Sequence, residues 1–341
     1  MAGRAGGLLP DRHPTVDMFV CGIFDVSFKD DLASMEHPLF SLSTRPDRRI
    51  LSYSHNGVAV EVTPSVRGRA TIHDKDILIY CISQLVAALN AGRQVSRRIS
   101  LRAHDLLVAT NRDTGGDGYK RLREAFERLA STRITTNIVT GEREVTSGFG
   151  LIESWEIVRK SRGGRMISVA VVLSEWLFQA VLSKSVLTLS PEYFRLRKPL
   201  ERRLYELLRK HCGRQPQWRV SLGVLHKKSG STAPIRVFRA AVRRIIADDN
   251  LPEYELEELE GDILRASPRK VVEAVGAGQG ALLSADTLLQ ARALVPGHDI
   301  YALEARWKAF WAASGRPALR NPDRAFLAWL EGQKERGRIT L

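Results

Sequence analysis

The amino-acid sequence predicts an α+β chain of two tandem winged-helix (helix-turn-helix) domains followed by a small C-terminal helical module. Three observations predict it. A helix, a short strand, a helix, a turn, another helix and a pair of strands follow one another in the first half, and the same order returns about 115 residues later, counted from Tyr119 to Pro234. The Asn56-Gly57 dipeptide between alternating apolar runs marks a β-hairpin ahead of the first set. The string Gly276-Ala-Gly278-Gln-Gly280 marks a linker after the second. Identity between the two halves is negligible, so the repeat rests on element order alone.

Met1 to Pro14 carries Gly, Arg and Pro without a continuous apolar run, so residues 1–17 are expected to be a flexible tail and not a signal peptide. The N-terminal domain is assigned to 18–190. Its hairpin pairs Ile50–Tyr53 with Val58–Val62. A helix opened by His73-Asp74-Lys75-Asp76 follows, and Ile77, Leu78, Cys81, Ile82, Leu85 and Leu89 recur at helical spacing, which predicts a core-facing helix. Then come a strand at Arg98–Leu101, a helix from Arg102 to Thr110, a turn at Gly115–Gly118 and an amphipathic helix from Tyr119 to Thr132. Ile134–Thr140 and Val145–Val158, joined at Gly141-Glu142, predict a hairpin-like wing before the apolar stretch Ile167–Leu173.

The second domain is assigned to 191–267. It has a helix from Lys198 to Cys212, a strand at Trp218–Val220, helices from Ser221 to Lys228 and from Pro234 to Ala247, and a hairpin of Tyr254–Leu259 with Asp262–Ala266. A linker at 268–283 leads to the module at 284–341. There Leu303, Trp307, Phe310 and Trp311 share one helical face and Phe326, Trp329 and Leu330 another, a pattern that reads first as core and second as a docking surface.

Lys and Arg outnumber Asp and Glu by 52 to 38, a formal charge of +14, and a polyanion is the natural counterpart of such an excess. A membrane surface is disfavoured: the most apolar helix, Ile77–Leu89, is interrupted by Ser83 and Gln84 and is far short of about 20 residues. A cytoplasmic location is therefore expected. Cys21, Cys81 and Cys212 are scattered and never form C-x-x-C, which supports neither a disulfide framework nor a zinc site.

Enzyme signatures are missing on specific grounds. No G-x-x-x-x-G-K-[ST] cradle exists, nor any Gly-Lys dipeptide, and the glycine string at 276–280 has the wrong spacing for a dinucleotide fingerprint. His73-Asp74 and His104-Asp105 lie near helix starts, where capping explains them better than catalysis. No enzyme, metal or cofactor is expected.

Double-stranded DNA is the polyanion that the pattern favours. In the helix from Pro234 to Ala247, Ile235, Phe238, Val242, Ile245 and Ile246 form an apolar face, Arg236, Arg243 and Arg244 lie opposite, and Arg239 sits near the boundary, with no acid in the helix. Arginine suits bidentate contact with guanine and with phosphate. In the helix from Tyr119 to Thr132, Lys120, Arg121, Arg123 and Arg128 are interleaved with Glu124 and Glu127, for which intrahelical pairing is the plainer reading. Arg143, Lys160, Arg162, Arg165, Lys227 and Lys228 are weaker candidates for phosphate contact, and the second domain is expected to hold DNA more tightly than the first.

Met35–Asp47, Asn56-Gly57-Val58, Val60–Ser65 and Ala70–Leu85 together resemble plasmid replication initiator proteins of the RepA type. The likeness continues more loosely through Tyr119–Leu122, Pro191–Phe194 and Arg203–Lys210, and the tail segments Pro296–Glu304 and Asn321–Phe326 are also similar. The resemblance implies binding to repeated sites at a plasmid origin and recruitment of the host initiator and replicative helicase, with repression of its own gene as a second role. It also leaves open a homodimer through the first domain. A winged-helix transcription regulator without a replication role is the alternative, and a DNA-nicking or primer-making enzyme would need acidic or histidine clusters that the sequence does not offer.

Overall fold

The computed structural model describes residues 7–13, 28–55, 57–90, 93–140, 143–159, 166–183, 185–213, 215–269, 283–295, 300–314, 319 and 321–335. They fall into two units. The larger runs from Phe28 to Arg269 and includes the described residues before His13, so the predicted 190/191 boundary lies inside it; the other holds the C-terminal helices.

The larger unit opens with β1 (Lys29–Asp31) and α1 (Leu32–Glu36), whose N-cap Asp31 accepts from the Ser34 amide. The hairpin β2 (Leu51–His55) and β3 (Val58–Thr63) pairs antiparallel from Leu51↔Val62 to His55↔Val58. Next is α2 (Lys75–Asn90), in which Ile77 through Ser83 are buried without a break. Then β4 (Arg98–Arg102), α3 (Ala103–Ala109) and α4 (Gly116–Ser131) follow. The last begins inside the predicted Gly115–Gly118 turn, with Asp117 in its first turn meeting the positive end of the helix dipole.

The predicted wing is corrected here. Val145–Val158 is not one strand but two, β6 (Arg143–Gly150) and β7 (Ile152–Arg159), and they enter different sheets. Leu151, fully buried, anchors the corner between them. Strand β5 (Arg133–Thr140) and β6 extend the first hairpin into a four-stranded sheet of order β2-β3-β5-β6. Strand β7 instead pairs with β8 (Met166–Leu173), and β8 with β4, giving the order β4-β8-β7.

After α5 (Glu175–Leu182) and β9 (Val186–Thr188), which pairs with β1, the chain reaches α6 (Pro199–His211). Then β10 (Trp218–Ser221), α7 (Leu222–Ser229), α8 (Ile235–Asp248), β11 (Tyr254–Leu259) and β12 (Ile263–Pro268) form a three-stranded sheet of order β10-β12-β11 under two helices. Strand–helix–helix–hairpin with the first strand against the last thus occurs twice, and β5-β6 is an insertion into the first copy.

Every residue of α6 from Glu201 to Leu208 is buried, charged ones included. Arg203 donates to the carbonyls of Ser34 and Met35 at 2.9 and 3.0 Å, to Glu36 O at 3.1 Å and to Lys228 O at 2.8 Å, joining α1 to α7. Arg202 bonds Asp76 of α2 at 2.5 Å, and Glu206 meets Lys75 at 3.1 Å and the Tyr193 hydroxyl at 2.7 Å. Lys75 also holds Asp30 at 2.6 Å; burial pushes the Asp30 carboxyl upward, and the Lys75 ammonium opposes that shift. Charges with so little solvent persist only when paired and hydrogen-bonded, so α6 ties α1 and α2 to α7. At the same seam Gly230 caps α7 at φ 70°, and a Cβ there would come within 2.5 Å of Pro38.

In the smaller unit, α9 (Ala285–Leu294), α10 (Ile300–Ala313) and α11 (Pro322–Glu335) enclose one core. Leu303, Trp307, Phe326, Trp329 and Leu330 are buried together, with Phe310 and Trp311 packed on the cluster, so both predicted aromatic faces point inward. Among the described residues no helix is long and apolar enough to cross a membrane, and no group of His, Cys, Asp and Glu is arranged to hold a metal ion. Cys81 and Cys212 are buried free thiols; burial pushes Cys81 up to about 12. Cys21, residues 1–6 and 14–17 of the tail and the glycine string at 276–280 lie outside the described residues.

Candidate nucleic-acid interface

Helix α8 rests on Phe238, Val242 and Ile245, all buried, with the His226 ring 4.8 Å from that of Phe238. Ile235 and Ile246 are half-buried at the margin. The opposite face exposes Arg236, Val237, Ala240, Arg243, Arg244 and Ala247. Val237 stands among them at 50% exposure.

The four arginines do not all stay available. Arg239 forms a two-pronged pair with Asp262, at 2.8 and 2.6 Å, and Arg243 another with Glu258, at 2.8 Å through each nitrogen. These bonds raise both guanidinium pKa values above their ordinary level. The expectation that no acid balances this helix is therefore corrected: the acids arrive from β11 and the hairpin turn, 15 and 23 residues along the chain. Their effect is to pin the hairpin to α8. Arg236 and Arg244 carry no ion pair among the described residues and remain exposed.

Of the adjacent pair on α7, Lys227 is exposed, but Lys228 points inward, its side chain 9% exposed and its ammonium on Glu36. Consecutive helical residues diverge by about 100°, and here that turn carries Lys228 into the seam with α1 while Lys227 stays in solvent. Lys228 is withdrawn from the phosphate-contacting set. Glu36 also meets His211 at 3.1 Å and Lys210 at 3.4 Å. Burial alone would raise the Glu36 carboxyl, but the bonds from His211 and Lys228 outweigh it and hold Glu36 well below the usual carboxylate range.

On α4, Lys120, Arg121 and Arg123 are exposed. Arg123 pairs with Glu127 at 3.2 Å, four residues on, and Arg121 with Asp113 at 3.5 Å. Arg128 is a correction: it grips Asp74 at 2.7 and 2.8 Å with only 21% of its side chain exposed, and so ties α4 to the start of α2. Asp74 also accepts from the Thr71 amide at 2.8 Å, a local cap. Arg143 pairs through its backbone with Thr140 at the end of the inserted hairpin, and its side chain lies outside the described residues, as do Lys160, Arg162 and Arg165.

Sequence reasoning missed a basic surface in the loops. Arg45, Arg48, Arg49 and Arg67 are all exposed, and Arg49 donates to the Thr232 hydroxyl, in the turn before α8, at 2.9 Å. Helical periodicity cannot find such a cluster; the dense run Arg45-Pro-Asp-Arg-Arg49 was the only signal.

The family model for replication initiator protein A matches residues 29–256, from β1 into β11. The chain belongs to the replication initiator protein A family. Consistent with membership, a Wigglesworthia glossinidia brevipalpis protein named as a replication protein is 38% identical over 247 residues, spanning 71% of this chain and 90% of that protein. A crystal structure of domains 2 and 3 of RctB aligns with a TM-score of 0.52 at 15% identity, covering 70% of this initiator-family chain and 96% of that one, a likeness of fold. A second RctB structure of domains 2-3 aligns at 17% identity with a TM-score of 0.49.

Proposed function

We propose that this member of the family starts plasmid replication by binding repeated double-stranded DNA sites at the origin through two tandem winged-helix units, without enzymatic chemistry of its own. Family membership supports the role. The observation that carries the DNA-reading part is the exposed face of α8, where Arg236 and Arg244, without ion pairs among the described residues, flank Val237 and Ala240 beside a hairpin held by Arg239 and Arg243. A helix entering the major groove needs donors for guanine O6/N7 and small apolar groups for the thymine methyl, and this face offers both. In the first unit Lys120, Arg121 and Arg123 of α4 take the corresponding place, with the hairpin β7-β8 as its wing. Helicase and host-initiator recruitment, and repression of its own gene, follow from the resemblance.

Footprinting of the purified protein on DNA flanking its gene tests the proposal. Protection over short direct repeats is expected, and no protected repeats refutes it. The logarithm of affinity should fall against the logarithm of salt with a slope of about −0.9 per phosphate contact, for about 6–10 contacts. ATP turnover in the purified protein should stay at background with DNA present, and sedimentation on and off DNA will show whether it binds as monomer or dimer.

A further inference from the structure

The loops Ser43–Ile50 and Pro64–Arg69 are locked into one platform. Asp47, 7% exposed, lies at its centre: Arg69 bonds its carboxylate at 2.7 Å and Arg49 at 2.9 and 3.1 Å, while the Arg69 amide donates to Asp47 O at 2.8 Å. Arg48 Nε donates to Val66 O at 2.8 Å, closing one loop on the other. Gly68, at φ 88°, lets the loops meet; a Cβ there would lie 3.0 Å from Asp47 N and 3.1 Å from Pro46 Cα.

The platform's outer surface is basic and partly apolar. Arg45, Arg48, Arg49 and Arg67 face solvent, and Val66 and Ile50 stand among them at 81% and 58% exposure. Arg67 reaches Glu127 of α4 at 3.6 Å, a loose pair that leaves its side chain largely in solvent. The single acid of the two loops, Asp47, is turned inward and already matched. Nothing about holding the two loops together requires Arg45, whose side chain has no ion pair among the described residues.

Its position decides the partner. Arg49 Nη2 bonds Thr232 Oγ1 in the turn that launches α8, and the neighbouring Gly230 packs so closely on Pro38 that no side chain could enter the seam. The platform therefore continues the surface that begins at Arg236, in the first turn of α8, and it does so with fixed geometry.

We infer that the Arg45–Arg48–Arg67 platform is a second DNA-binding surface, which grips the phosphate backbone flanking the segment read by α8. The inference rests on the proposal that α8 faces DNA. Phosphate contacts fix register and add affinity but carry no base information. The platform thus extends the footprint past the α8 N-terminal end without altering sequence preference.

The test uses the full-length protein, a duplex selected by it from a random pool, and a scrambled duplex of equal length. Arg45→Ala/Arg48→Ala/Arg67→Ala should weaken binding to both by a similar factor and make the salt slope shallower by about 2–3, at about 0.9 per lost contact. Arg45→Glu alone, at a side chain that holds nothing, should do the same to a lesser degree with an unchanged unfolding midpoint. Trimming the selected duplex on the α8 N-terminal side should flatten the wild-type slope but not that of the triple variant. An unchanged slope in both variants overturns the inference. So does an unchanged slope with altered sedimentation or lost binding to an acidic protein, which would make the platform a protein-docking surface. If Arg236→Ala/Arg244→Ala keeps wild-type sequence preference while the platform variants still flatten the slope, α8 fails as reader and the platform stands.

Discussion

Replacing Arg236 and Arg244 together by alanine separates base reading from scaffold support. Neither side chain has an ion pair among the described residues, and neither belongs to the Phe238, Val242 and Ile245 floor, so the unfolding free energy should change by no more than about 0.5 kcal/mol. If each arginine makes one bidentate base contact, about 1–3 kcal/mol is lost per residue, or about 2–6 in all. At about 1.4 kcal/mol per decade, affinity for a selected duplex should fall by a factor between about 30 and about 20,000. Binding to a scrambled duplex, which depends on phosphates, should fall far less, so the ratio of the two collapses. Fluorescence anisotropy titrations at one fixed salt concentration measure both. Arg239→Ala/Arg243→Ala is the informative contrast, because it releases Glu258 and Asp262 from α8 and leaves two carboxylates near the groove. That variant should weaken both duplexes alike and leave their ratio intact. A well-folded Arg236→Ala/Arg244→Ala protein with wild-type discrimination would refute α8 as the reading helix.

Arg128→Ala should act on stability and not on DNA: removing one partner of the largely buried Arg128–Asp74 pair is expected to cost about 3 kcal/mol, read as a lowered urea midpoint with an unchanged salt slope in the folded protein. Glu36→Gln should destabilise the protein at neutral pH by leaving Lys228 without its counter-charge. Because the Glu36 carboxyl is depressed in the folded state, its contribution is complete above its ordinary value near 4.5 and fades as pH falls toward the folded value; the gap between wild type and variant should close on acidification, as followed by thermal melts across pH. Gly230→Ala combines a left-handed backbone with a clash on Pro38, and a loss of about 1–3 kcal/mol in chemical denaturation is expected.

What could be read from the sequence was local. The β2-β3 hairpin, the apolar run of α2, the pairing of β11 with β12 and the floor of α8 each follow from periods of 2 or 3.6 within a short window. The corner at Leu151 was hidden because alternation continues across it, so β6 and β7 look like one strand until a second sheet claims β7. Partners were hidden for a similar reason. Arg239 and Arg243 look unbalanced within their helix, yet their acids come from a hairpin that folds back over it. Arg202 and Arg203 of α6, Arg69 and Lys75 count toward the formal charge of +14 but are enclosed, so net charge overstates what a phosphate backbone meets. Adjacent basic residues on a helix can both face solvent, as Arg243 and Arg244 do, or be divided by packing, and only the tertiary structure shows that Lys227 points out and Lys228 in.

On the proposed function, helix α6 acts on the DNA without touching it. Because Glu201 through Leu208 are buried, Arg203 clasps α1 and α7, Arg202 holds Asp76 at the start of α2, and Arg128 of α4 holds the neighbouring Asp74, the two proposed reading units are packed into one body. They form a ruler. A hinged pair tolerates spacers of several lengths between its sub-sites, whereas a rigid pair fixes the helical phase. Half a turn of extra duplex, about 5 base pairs, carries the second sub-site to the far side of the rod. The protein must then hold on by one unit alone, or else the duplex must twist to meet it.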